Sequence, residues 1–217
     1  MRETAKATIE STHARLIAGK LLIIAALAVG VTQLSAVSSV DLATVELIHR
    51  HTTNSLTAVF LGITELASTD VILLVSAGAA VLLAARHHWR GAVALAISVL
   101  ATQAVVTGAK ALMSRPRPDQ DAAVVDPSGF SFPSAHSASA VALYAMLALI
   151  AASAMRGRAR GSAWTVAIAL VVAIGLSRVY LGAHYPTDVL AGWLIGGVVV
   201  LGSWTLCSRL PAGRPAV

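Results

Sequence analysis

Charge is scarce in this chain: 12% of its 217 residues are Asp, Glu, Lys or Arg, against roughly 25% in soluble globular domains. So little charge excludes an ordinary water-facing surface. The hydrophobic share of 57%, gathered in long runs, places the chain in a bilayer instead. Cysteine is almost missing as well. Cys207 stands alone, which excludes an intrachain disulfide and any cysteine-built metal site. Aromatic residues contribute 5%, and 10 acidic residues face 16 Lys and Arg. The net charge of +6 is spread between the apolar runs rather than along one face or tail. It therefore points to membrane topology, not to nucleic acid.

What is present are apolar runs of spanning length. They predict an all-α integral membrane bundle of about six transmembrane helices, built as one domain over residues 1–217. A basic head leads into a first run from Leu16 to about Val37, long enough to be a retained anchor rather than a cleaved signal peptide. Residues 41–55 are polar and are expected as a surface loop or short interfacial helix. The second span is expected to begin before Glu65 and Asp70, carrying both near its outer end. Its apolar body is 71–85, closed by the basic turn 86–90. Gly91 to about Met113 forms the third span, and the Pro-, Asp- and Ser-rich stretch 114–133 a loop. The fourth span covers 134–154, a basic turn 156–160, the fifth about 162–181 and the sixth 187–207.

Basic residues orient this bundle. Arg2, Lys6, Arg15, Lys20, Arg86, Arg90, Arg156, Arg158, Arg160, Arg209 and Arg214 fall on one side, against Arg50, Lys110, Arg115, Arg117 and Arg178 on the other. The richer side is cytoplasmic by the positive-inside rule, which puts both termini inside the cell. Four of the five outer exceptions belong to or adjoin a single constellation, so they have a specific use.

A helix rises about 1.5 Å per residue, so Lys110 lies about 28 Å above Gly91, at the outer boundary of the bilayer. Ser134 and His136 open the fourth span from that side. Arg178 ends the fifth, and His184 and Asp188 flank the start of the sixth. Ionisable residues at membrane depth are functional candidates by default. Here Lys110, Arg117 and Arg178 can neutralise the oxygens of a phosphate, where catalysis is mostly positioning and electrostatics. The helix start at Pro133-Ser134-Ala135-His136 offers free N–H groups and a hydroxyl to an anion. Two histidines permit one to attack phosphorus and the other to protonate the leaving oxygen, while Asp188 can hold the far nitrogen of an imidazole.

In order along the chain stand Lys110-x6-Arg117-Pro118, Pro133-Ser134-Ala135-His136 and Ser177-Arg178-x5-His184-x3-Asp188. Together they resemble the three signatures of the type-2 phosphatidic acid phosphatase superfamily of membrane lipid phosphatases, with a motif core over 110–188. The resemblance implies His184 as the nucleophile that forms a phosphohistidine, Asp188 as the group that orients it and His136 as the general acid. It implies Lys110, Arg117, Ser134, the Ala135 amide and Arg178 as the phosphate cradle, with no metal or cofactor. Ala135 departs from the glycine usual in the family; its methyl group narrows the cradle but leaves the amide, so activity is expected to survive. Soluble vanadium haloperoxidases carry a similar motif set, and the apolar spans turn the expectation toward a lipid.

The expected activity is hydrolysis of a lipid phosphate or diphosphate of the undecaprenyl diphosphate, phosphatidylglycerol phosphate or phosphatidic acid class. It is expected at the outer face of a bacterial cytoplasmic membrane. A phosphotransferase that passes the phosphoryl group to a lipid or sugar hydroxyl is one rival; a non-catalytic lipid-phosphate binder or transporter is the other. Arg115 lacks the six-residue separation from Lys110 and is expected only as a rim contact. Phe130 and Phe132 are expected in the interface beside the pocket mouth, and Asp119, Asp121 and Asp126 in a solvated loop without a full calcium pattern. Glu65, Asp70, His13, His49, His51, His87 and His88 have structural readings.

Overall fold

The computed structural model describes residues 35–118, 124–125 and 128–210, and among them every regular element is helical. In chain order these are α1 (Ser35–His49), α2 (Asn54–Glu65), α3 (Thr69–Ala85), α4 (Trp89–Met113), α5 (Ala135–Ala154), α6 (Gly157–Tyr180) and α7 (Pro186–Ser208). Helices α4 to α7 are each long and apolar enough to cross a membrane; α2 and α3, bent by 43° at a short break, raise the number to five if they count as one span. The first expected span falls outside the described residues except for 35–37, which open α1.

Several boundaries differ from the expectation for local reasons. Of the two forms expected for residues 41–55, loop or short helix, 41–49 take the helical one, as the body of an α1 that already begins at Ser35. The second span does not run continuously through Glu65 and Asp70. Glu65 closes α2, the chain turns at Leu66, and Ser68 caps α3 by accepting from Val71 N at 3.4 Å, which leaves Asp70 at the positive end of α3. The stretch 157–160 is not a turn: a positive φ of 57° at Gly157 lets α6 begin there. Phe132 is fully buried, not interfacial, whereas Phe130 remains 43% exposed.

Helix α7 sits against both α4 and α5. Gly192 and Gly196, one turn apart on α7, make the approach to α5 possible, since a Cβ at 192 would lie 2.6 Å from the Ser134 carbonyl oxygen and one at 196 would lie 2.7 Å from that of Ala138. Small residues at four-residue spacing permit this kind of backbone approach between membrane helices. Below it, Leu95, Val99, Leu143, Met146, Ile174 and Val200 fill the core, while Leu74, Leu100 and Leu112 point outward as lipid-facing side chains would.

Helix α5 widens to a π-turn at Val141–Ala145. Two side-chain bonds brace this turn: Ser98 Oγ of α4 donates to Ala142 O at 3.0 Å, and Tyr144 Oη donates to Leu66 O at 2.7 Å. The second bond ties α5 to the bend between α2 and α3. That bend, in turn, fixes where Thr64 points.

Candidate active site

Helix α6 ends because Gly182, with φ of 73°, turns the chain back in the left-handed region. The amides of Ala183 and His184 both reach Arg178 O, at 3.0 and 3.2 Å. The turn therefore sets His184 directly beside the helix end that carries Arg178. Pro186 then starts α7 in the position where a missing N–H costs nothing. Asp188, in the first turn, accepts from Tyr185 N at 2.9 Å, so the carboxylate caps its own helix while facing the histidine four residues back.

Lys110, Arg117, Ala135, His136, Arg178 and His184 line one pocket of ≈ 430 Å³, with Val125 and Ser128 completing its wall. The end of α4, the loop after it, the start of α5, the end of α6 and the turn before α7 thus converge on one cavity. Arg117 donates to Ala183 O at 2.7 Å, to Gly129 O and Ser128 O at 2.9 Å each, and approaches His184 Nε2 at 3.3 Å. Lys110 Nζ donates to Phe130 O. Arg178 is 5% exposed; its Nη1 donates to Thr64 Oγ1 at 2.8 Å, and its Nε has no hydrogen-bond partner among the described residues. An unmet buried donor lining a cavity is a place for an anionic oxygen.

Two of the expected residues stand behind the pocket rather than in its wall. Ser134 is fully buried and caps α5, its hydroxyl accepting from Ser137 N at 3.4 Å and from Ser137 Oγ at 2.9 Å. Asp188 is also fully buried; its Oδ2 accepts from Ser131 Oγ and Tyr185 N and faces His184 Nδ1 at 3.5 Å. Burial pushes the His184 imidazole down to about 4, and the Arg178 and Arg117 charges push the same way against the opposing pull of Asp188. Burial also lowers the Arg117 guanidinium.

Arg115 is no rim contact. Its Nη1 donates to Asp188 Oδ1 at 2.7 Å and to Thr187 Oγ1 at 2.8 Å, its Nη2 donates to Asp41 Oδ2 at 2.8 Å, and its guanidinium stacks 4.2 Å from the Tyr185 ring centre. Burial would lower this guanidinium, but the bonds and charges of Asp41 and Asp188 win and raise it. Asp41, Thr64, Ser131 and Thr187 carry no signal of their own in the sequence, because only the folded bundle brings them to the motif residues. Asp119, Asp121 and Asp126 lie outside the described residues.

This chain is similar to known proteins in sequence and in fold. The PAP2 superfamily matches residues 91–211. Phosphatidylglycerophosphatase B of Bacillus subtilis is 35% identical over 146 residues, which are 65% of this chain and 70% of that protein. Decaprenylphosphoryl-5-phosphoribose phosphatase of Mycobacterium tuberculosis is 37% identical over 131 residues, 59% of this chain and 66% of that protein. The crystal structure of the first transmembrane PAP2 type phosphatidylglycerolphosphate phosphatase from Bacillus subtilis superposes with a TM-score of 0.79 at 26% identity. It covers 91% of this chain and 98% of that one.

Proposed function

The chain belongs to the PAP2 superfamily, and from that premise we propose that this lipid phosphatase works through a phosphohistidine on His184, at the outer face of the membrane. One observation carries the reading: a single pocket is lined by Lys110, Arg117 and Arg178 together with His136 and His184. The cations neutralise the phosphoryl oxygens, and the Arg178 Nε donor finds its partner there. Neutral His184 attacks phosphorus through Nε2 as the bond to the leaving oxygen breaks, and protonated His136 gives that oxygen its proton. His136, now neutral, takes a proton from water as the water attacks phosphorus. The P–N bond breaks and inorganic phosphate leaves. With a diphosphate substrate, the bond broken first is the bridging P–O bond and the lipid departs as a monophosphate.

Six spans are read from the apolar runs of the sequence, and for that number the basic-residue count supports both termini in the cytoplasm and the pocket opening outward. Phosphatidylglycerol phosphate, phosphatidic acid and undecaprenyl diphosphate share the terminal phosphoryl group that the pocket would hold. The test is phosphate release from each by the detergent-purified full chain with a chelator present, beside His184→Ala. Rapid acid-free quenching of labelled substrate should trap phosphate on His184. Full turnover by His184→Ala overturns the mechanism, and binding of lipid phosphates with neither release nor transfer overturns the enzymatic reading.

A further inference from the structure

Behind His184 lies a buried chain of charge that the phosphate chemistry does not itself use. Asp188 presents two oxygens: Oδ2 serves Ser131, the Tyr185 amide and the imidazole face, while Oδ1 is held by Arg115. Arg115 is anchored on its other side by Asp41, which comes from α1, far from the motif core in sequence. Asp41 is as closed off as Asp188, with side-chain exposures of 1% and 0%. Both its oxygens are engaged: Oδ1 accepts from Thr187 N at 3.1 Å, and Oδ2 from Arg115 and the Thr187 hydroxyl. Thr187 Oγ1 also accepts from Arg115 at 2.8 Å, so a closed ring links Asp41, Arg115 and Thr187, next to Asp188 in the chain.

We infer that Asp41 is a positioning residue for the phosphatase reaction, acting through Arg115 and Asp188 to hold His184 in line for attack. The inference rests on His184 being the nucleophile. Stability alone is a poor reason for this arrangement. Two carboxylates and a guanidinium out of water cost desolvation that apolar side chains would avoid, and the net contribution of such buried groups is often nil. Geometry is a better reason. Asp188 can rotate about its own side chain unless both oxygens are tied, and the His184 Nδ1 contact at 3.5 Å is loose enough that the imidazole depends on what fixes the carboxylate. Arg115 supplies that second tie through one charge-assisted bond, Nη1 to Oδ1 at 2.7 Å, while its other prong, Nη2, is held by Asp41 at 2.8 Å, so the two carboxylates together set the plane of the guanidinium. Asp41 then fixes the guanidinium and couples α1 to the reacting residue.

The experiment uses the full chain in detergent with a short-chain phosphatidic acid and with phosphatidylglycerol phosphate. It compares wild type, Asp41→Asn, Thr187→Val, Arg115→Lys, the Asp41→Asn/Arg115→Lys double variant and His184→Ala. Loss of one charge-assisted bond predicts kcat lowered by about tenfold in Asp41→Asn. KM should stay within about twofold, because the phosphate cradle is not touched, and single-turnover formation of the phosphohistidine should slow in step with kcat. The double variant should cost no more than the worse single, as members of one relay do. Thr187→Val removes the shared hydroxyl without changing side-chain size and keeps the test alive if Asp41→Asn does not fold; its kcat should fall in the same direction. Wild-type kcat in both, or a loss confined to KM, overturns the relay while the site stands. Unimpaired turnover by His184→Ala, or no phosphate release by the wild type, overturns the site reading and the relay with it.

Discussion

Arg117 Nη1 lies 3.3 Å from His184 Nε2, and a guanidinium can only donate. Nε2 therefore carries the lone pair, and the single proton of the neutral ring sits on Nδ1, toward Asp188. This is the tautomer that an attacking imidazole requires.

The first prediction concerns protonation. With the folded value depressed to about 4 from the ordinary 6.5, the folded protein binds fewer protons than the unfolded chain between those two values. His184 therefore contributes stability that is fully present above about pH 6.5 and is lost as the pH falls toward 4. Nuclear magnetic resonance of ring-labelled histidines, with the His184 signal assigned by its loss in His184→Gln, should show no titration between pH 8 and 5.5. A midpoint near 6.5 contradicts the buried, cation-flanked setting.

Arg117→Lys should be costly despite keeping the charge. The guanidinium holds the Ser128, Gly129 and Ala183 carbonyls and touches His184 at once. An ammonium offers no such fork, so kcat/KM should fall by about 10- to 100-fold, with a rise in KM for lipid phosphate. Steady-state kinetics with matched detergent and lipid fractions decide it, and unchanged kcat/KM refutes the assignment.

How much of this was legible beforehand follows from where each signal lives. Lys110, Arg117, His136, Arg178 and His184 announce themselves through spacing and through the rarity of charge, and they do line one pocket. Asp41, Thr64 and Ser131 announce nothing, since their partners lie 146, 114 and 57 positions away in the chain. Arg115 was visible but misplaced, because spacing from Lys110 says nothing about a carboxylate on α1. Among the spans, α4 to α7 follow from apolar length, whereas the bend between α2 and α3 depends on a Ser68 cap and a Tyr144 hydroxyl supplied from α5. Hydropathy averages over such events.

Thr64 tests whether the bend matters to the site. Its hydroxyl accepts from Arg178 Nη1 at 2.8 Å in a buried setting. Thr64→Val keeps the shape and removes the acceptor, leaving a buried guanidinium N–H unpaired at a cost of about 1–3 kcal/mol. Arg178 also loses the hydroxyl that aims it into the pocket, so KM for the lipid phosphate should rise by roughly fivefold with kcat less affected. An unchanged KM would show that the bend serves packing alone.

Gly192 tests the seam between α5 and α7. An added Cβ would sit 2.6 Å from the Ser134 carbonyl oxygen and 3.0 Å from Ser137 Cβ. The Ser134 backbone has little room to yield, because its amide donates to Asp188 O at 3.0 Å and its hydroxyl caps α5. Gly192→Ala should therefore destabilise the protein by about 1–3 kcal/mol, outweighing the gain of about 1 kcal/mol that alanine normally brings to a helix. Gly202 is the control on the same helix: a Cβ there meets nothing within 4 Å, so Gly202→Ala should be neutral or mildly stabilising. Thermal unfolding in detergent compares the two directly. Activity should drop with Gly192→Ala but not with Gly202→Ala, because Gly192 lies one turn beyond Asp188 and a displaced α7 moves the carboxylate away from His184. Equal behaviour of the two variants would mean that α5 and α7 do not meet as closely as their backbones indicate.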